Sequence, residues 1–209
     1  MSYSGKGNSG DVLKVNAQNK TTYQQITLPV TVASGSALTP DYNTISAALN
    51  AGAENILVIG DTFETQSIFA SGAISLTLEA NSLLDLGIHT FGGVGPVDIK
   101  GNGRLRWAKD SLLQPVFTVK TSIADIELIN NSTELAPIMG SADCRILNCS
   151  ITGDTIVGGS GLLITGCAIR GGVTVIPSAS GMNMQQCHII NGLVVDSGNN
   201  TVLSNIKFN

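Results

Sequence analysis

The sequence predicts an all-β chain wound into a right-handed parallel β-helix of about seven to eight coils, and three observations predict it. Apolar residues recur in register about every 18 to 23 positions. The recurring units are short strand-like runs separated by Gly, Asn, Asp and Ser. Charge is scarce, with 12% of the 209 residues charged against 43% hydrophobic. A chain of this kind builds its core by stacking each coil on the one before.

The first 38 residues stand outside this pattern. They are rich in Gly, Ser, Asn, Gln and Thr, with brief strand-like stretches at Val12-Leu13-Lys14-Val15 and Thr27-Leu28-Pro29-Val30-Thr31-Val32. Residues 1–38 are expected to form an extended arm that gains little core by itself and is either mobile or laid along a partner. Residues 39–209 form the second unit, which opens on a short amphipathic helix over about Asp41 to Ala51. Thr39 or Asp41 caps it, Ile45 and Leu49 share a face, and Gly52 provides the exit.

The strand pattern starts at Ile56-Leu57-Val58-Ile59. In the first half the clearest register match joins Leu76, Leu78, Leu84 and Leu86 to Val97, Ile99, Leu105 and Trp107, 21 positions later, and a further 21 positions lead to Ile126 and Leu128. In the second half Ile146-x-x-Cys149-x-Ile151 recurs as Ile164-x-x-Cys167-x-Ile169, Met184-x-x-Cys187-x-Ile189 and Leu203-x-x-Ile206-x-Phe208, after an earlier copy, Ile123-x-x-Ile126-x-Leu128. The offset changes while the triplet stays fixed, so turns vary in length and strands stay in register. Second apolar runs at Thr155–Val157, Val173–Ile176 and Leu193–Val195 give each coil at least two strands. At about 4.8 Å per coil the stack is about 35 Å tall. The helix sits where the first coil needs a cap, whereas Phe208-Asn209 follows a strand triplet with no visible cap.

Composition narrows the function. A mean hydropathy of +0.25 with so little charge predicts that outward apolar surface is covered by identical copies or another protein. A net charge of −4 leaves no broad basic surface, so nucleic acid is not expected as a partner. The opening Met1-Ser2-Tyr3-Ser4-Gly5-Lys6-Gly7 lacks the apolar core of a secretion signal, and no run approaches the roughly 18 apolar residues of a membrane span, so no membrane association is expected. Cys144, Cys149, Cys167 and Cys187 lack C-x-x-C spacing and the chain has two His, so neither a zinc site nor any other metal or cofactor is expected. Packed, free core thiols are the expected reading.

The polar arm, the helix Tyr42-Asn43-Thr44-Ile45-Ser46-Ala47-Ala48-Leu49 and the strand and turn Ile56-Leu57-Val58-Ile59-Gly60-Asp61-Thr62-Phe63 together resemble the opening of pectate-lyase-like β-helix domains. The resemblance spans roughly residues 40 to 209 at the level of architecture. That superfamily holds polysaccharide lyases and hydrolases, phage tailspikes and non-enzymatic virion proteins. The Ala/Ser/Thr/Asn/Gly-rich style looks most like a bacteriophage structural protein. The resemblance implies a capsid cement or decoration protein, or a tail component, made in the host cytoplasm and located in the virion. The expected partners are copies of itself, with a trimer favoured, and a major capsid or tail protein. The rival implied by the same resemblance is a tailspike-like module that binds or depolymerises a surface glycan.

A glycan-cleaving β-helix needs carboxylates paired across coils, or acids holding calcium beside a base. Asp85, Asp98, Asp125, Asp143 and Asp154 are scattered over different registers. Asp125 and Glu127, alternating with Ile126, are the nearest to a pair, with Lys100, Arg104 and Arg106 on preceding coils. Solvated or inter-subunit ion pairing is the stronger reading, and no catalytic residue is assigned. Asp-Asp with Gly-His-Gly and Arg-x-Pro-x-x-Arg motifs are absent. Trp107 falls on an inward position and is expected in the core, His188 on the opposite strand face from Cys187 is expected at the surface or an interface, and Gly101-Asn102-Gly103 reads as a turn.

Overall fold

The computed structural model describes residues 9–15, 21–34, 39–108, 114–132, 137–177 and 179–209. Over Val30 to Phe208 the chain is a parallel β-solenoid of about seven turns. Its first sheet has nine strands in stacking order, from Val30–Val32, Asn55–Val58 and Ile74–Leu78 to Asn183–Gln185 and Val202–Ser204. Its second sheet has eight, from Thr62–Phe63 and Leu83–Asp85 to His188–Ile190 and Lys207–Phe208. A third face completes each coil. There Ile68–Ala70 pairs with Phe91–Gly93, and Thr155–Val157 with Val173–Val175 and Val194–Asp196. Between these two groups single bridges Phe91 to Phe117, Phe117 to Met139 and Pro137 to Ile156 carry the ladder.

Alternation of side chains along each strand sends every second residue inward, and parallel stacking places each inward residue over its equivalent. Ile56, Leu76, Ile99, Ile123, Ile146, Ile164 and Met184 form one buried ladder. Leu84, Leu105, Leu128, Ile151, Ile169 and Ile189 form the facing one. The third face adds Phe91 and Phe117, whose rings stack with centroids 5.8 Å apart. Each such Leu, Ile or Phe contributes about 1.5–3 kcal/mol by leaving water. Two buried hydroxyls are satisfied locally, Thr121 donating to the Val119 carbonyl at 2.9 Å and Ser82 to that of Glu79 at 2.7 Å.

The later triplets stack as the sequence indicates, Ile123 on Ile146, Ile164, Met184 and Leu203 in turn. The earlier 21-residue register holds only in part. Leu84 does lie against Leu105, but Leu76 lies against Ile99, and Leu105 against Leu128, with Trp107 against Asn130. From Leu78 to Leu84 the chain takes six steps, whereas from their partners Gly101 to Leu105 it takes four, so the Gly101-Asn102-Gly103 turn is two residues shorter. A slip of two keeps the same face inward, so apolar pattern alone does not detect it.

The corner between the first and second sheets is built from a second kind of ladder. Asp125, Asn148, Gly166, Gln186 and Asn205 occupy equivalent places, each with φ between 52° and 69°. This left-handed conformation is most accessible to Gly, Asn and Asp, which accounts for much of the turn composition. Behind these residues, facing inward, stand Ile126, Cys149, Cys167, Cys187 and Ile206.

The helix is shorter than the sequence suggests, Ile45–Asn50, and its cap is Thr44, whose side chain accepts from the Ala47 amide at 3.1 Å. Glu64, buried and 18 to 19 residues away, completes the cap. Its carboxylate accepts from the Ile45 amide at 2.6 Å and the Ser46 hydroxyl at 2.7 Å. Asp41 instead accepts from the amide and hydroxyl of Thr31, both at 2.8 Å. At the other end Gly52, with φ of 85°, and Ala53 donate back to the carbonyls of Leu49 and Ala48, as in a Schellman exit. The helix packs on Val30–Val32 and Ile68–Ala70, closing the first coil.

Val30–Val32 pairs in parallel with Ile56–Val58, so the stack begins inside the segment read from sequence as an arm. Ahead of it Ser9–Val15 and Thr21–Thr27 form an antiparallel pair. Residues 1–8, 16–20 and 35–38 of the expected arm lie outside the described residues. At the far end Leu203 and Phe208 hold inward positions yet are 43% and 57% exposed.

Replacing Glu64 by Ala strands the amides of Ile45 and Ser46 and the Ser46 hydroxyl without their acceptor and is expected to lower stability by about 1–3 kcal/mol. The urea midpoint of Glu64→Ala should fall, with Glu64→Gln falling less. An unmoved midpoint would show that this carboxylate does not hold the cap.

Candidate functional site

The acidic residues singled out by sequence each have a place in the scaffold. Asp85 receives the guanidinium of Arg106 through Nε at 3.1 Å and Nη2 at 2.5 Å, and this contact raises the pKa of Arg106 above its ordinary value. Asp98 lies 3.5 Å from Lys100 on one strand of the first sheet, both about half exposed. The Asp154 carboxylate accepts from the Gly172 amide at 2.7 Å.

Asp125 and Glu127 do not share a strand face. Asp125 is at the left-handed corner, where its carboxylate accepts from the Asn148 side chain at 3.3 Å, while Glu127 begins a strand of the second sheet. The turn at Asp125 rotates the chain between the two residues, so alternation around Ile126 does not apply. Arg104 lies beside Glu127 in the ladder, and Arg106 is engaged by Asp85. The expected neighbourhood therefore divides into separate pairs.

A shallow groove of about 530 Å³ does gather polar groups, at the leading edge of the first sheet. Asn55, Ser75, Asp98, Ser122 and Arg145 stand side by side on five successive strands, one strand spacing apart. Glu54, Lys120 and Asp143 line its margins. Sequence reasoning found Asp98 and Asp143 but not this row, because turn lengths between its members vary. The signal available was the outward position next to each inward Ile or Leu of the first sheet.

Trp107 is 1% exposed, in the core as its repeat position requires. All four cysteines are buried and unpaired in disulfides. Cys149, Cys167 and Cys187 form a continuous row in which Cys167 sits between the other two sulfurs, and these contacts push its thiol well above the usual range. Burial pushes Cys144 up as well. Among the described residues no group of three His, Cys, Asp or Glu is arranged to hold a metal ion, and no helix is long and apolar enough to cross a membrane.

The geometry thus defines a parallel β-solenoid of about seven turns, compatible with the β-helix superfamily. Comparison with protein-family models, curated proteins and solved structures returns no match.

The contact with Cys167 lowers the thiol pKa of Cys149 and Cys187, the latter to about 7, so the protection of the row rests on burial, which keeps a reagent from the sulfurs, and not on a shortage of thiolate. Iodoacetamide at pH 8 is expected to leave the buried thiols largely unmodified in the folded protein and to modify all four in denaturant. Rapid native labelling of Cys149, Cys167 or Cys187 would contradict the packed row.

Proposed function

We propose that this chain is a non-enzymatic structural protein of a virion, most like the pectate-lyase-like β-helix proteins of bacteriophages, acting as a cement or tail component through surface burial. The observation that carries this reading is the apolar character of the third face. Phe69, Ile88, Val94, Leu193 and Val195, on this face or at its corners, are 64%, 65%, 79%, 59% and 46% exposed. Five large apolar side chains on one side of a solenoid are costly in water and favour contact with protein. Copies of the chain, in a closed trimer first, or a shell subunit would cover them. The engagement of Asp85, Asp125 and Asp154 in scaffold contacts supports a role without bond chemistry.

A second reading is favoured by the groove on the first sheet. Its row of Asn, Ser, Asp and Arg side chains repeats at the strand spacing, close to the length of one pyranose unit, and would suit an extended glycan. Its lining contains no aromatic residue on which a sugar could stack, which leaves the assembly reading ahead.

Phe69→Asp and Val94→Asp alter exposed positions and should leave the circular dichroism spectrum unchanged. They are expected to weaken self-association or particle binding by at least about tenfold, as loss of an apolar anchor does. A wild-type chain that is monomeric at high concentration and does not bind particles would overturn the reading. Release of reducing ends or unsaturated sugars from bacterial polysaccharide would overturn its non-enzymatic part.

A further inference from the structure

Along most of the solenoid, basic side chains have acidic company. Arg106 is held by Asp85, Lys100 lies near Asp98, Arg104 adjoins Glu127, and Lys120 and Arg145 share their groove with Asp98 and Asp143. The last coils depart from this pattern. On the outer face of the second sheet Lys207 lies directly opposite His188 in the parallel ladder. These two residues, with Gln186, Cys187 and Asn205, line a pocket of about 450 Å³ that has no carboxylate in its wall. Arg170 stands on the same face one coil earlier, in register with Ile190, and Asp154 at the nearby turn is engaged by the Gly172 amide.

We propose that this pocket binds an oxyanion, the phosphate or carboxylate group of a ligand, between Lys207, His188 and the side-chain amides of Gln186 and Asn205. The donor inventory suits one negative group. An ammonium offers three donors, each amide two, and an imidazole one or two. Lys207 brings a positive charge directly opposite the His188 imidazole, and an anion between them would pair with the first and hydrogen-bond the second. A second, independent observation points the same way. The Nε2 atom of His188 is buried and has no hydrogen-bond partner among the described residues. The nitrogen is shielded as the ring now stands, and a turn of the imidazole would bring it to a ligand oxygen in the pocket and give it the partner it lacks. Gln186 and Asn205 hold equivalent left-handed corner positions, with φ of 53° and 52°, so the backbone fixes where both amides leave the chain.

The test uses the two imidazoles of the full chain, His89 and His188, the first serving as an internal reference. Imidazole ¹H–¹⁵N spectra at constant pH and ionic strength are recorded while inorganic phosphate is added, and separately while glucuronate is added. The expected result is a saturable shift of His188 with at least one anion while His89 stays still. Response to phosphate alone identifies a phosphate-bearing ligand, response to glucuronate alone a carboxylate, and response to both a general oxyanion site. Lys207→Ala, at an exposed position, and Gln186→Ala should each weaken binding by at least about fivefold, the loss expected for a hydrogen bond to a charged group. The proposal is overturned if neither anion moves His188. It is equally overturned if His188 and His89 move together, or if Lys207→Ala titrates as the parent does.

Discussion

The structure depends on one constraint: each inward side chain must sit on its equivalent one coil away while the strand backbones bond along the same axis. Parallel ladders fix the spacing between coils, so a change of side-chain volume at one coil must be absorbed by its neighbours in the interior. Ile123, Ile146, Ile164 and Met184 meet this requirement with side chains of nearly equal volume. The cysteine row meets it at a tighter corner. There Cys149, Cys167 and Cys187 provide small, soft side chains between two converging sheets. Turns are released from the constraint, which is why the repeat varies in length without disturbing the core.

The first coil of such a stack needs a cover, because its leading strand lacks one neighbour. At the first coil the answer is a six-residue helix held by contacts from two directions, Thr44 from its own segment and Glu64 from the next coil. Glu64 couples the cap to the solenoid, since the carboxylate that caps the helix belongs to the chain that continues the stack. In the last coil Asp196 occupies the place of Val157 and Val175, and its carboxylate turns to the Gly198 amide and the Thr201 hydroxyl.

How much of this could be read in advance follows from the same physics. The triplets around Cys149, Cys167 and Cys187 were legible because turn length there changes little and three inward positions recur together. The pairing of Leu76 with Ile99 was not, since a slip by two residues preserves the inward face and only the length of the Gly101 turn decides between registers. The role of Glu64 is hidden in the sequence because its carboxylate reaches the helix from 18 to 19 residues away. The third face was only partly visible, because in its middle coils it narrows to single bridges at Phe117 and Met139. Outward rows such as Asn55, Ser75, Asp98, Ser122 and Arg145 carry no periodic signal of their own. They became visible once the inward register was fixed, and that is where any binding chemistry resides.

Native-state hydrogen exchange measures the stacked ladder most directly, because each strand amide is protected by the coil beside it. The account predicts periodic protection that follows the strands, strongest from Val97–Gly101 to Ala168–Arg170 and weakest in the last coil from Val202 to Phe208. Uniformly fast exchange across Arg145–Arg170, or protection that follows the turns instead of the strands, would contradict it.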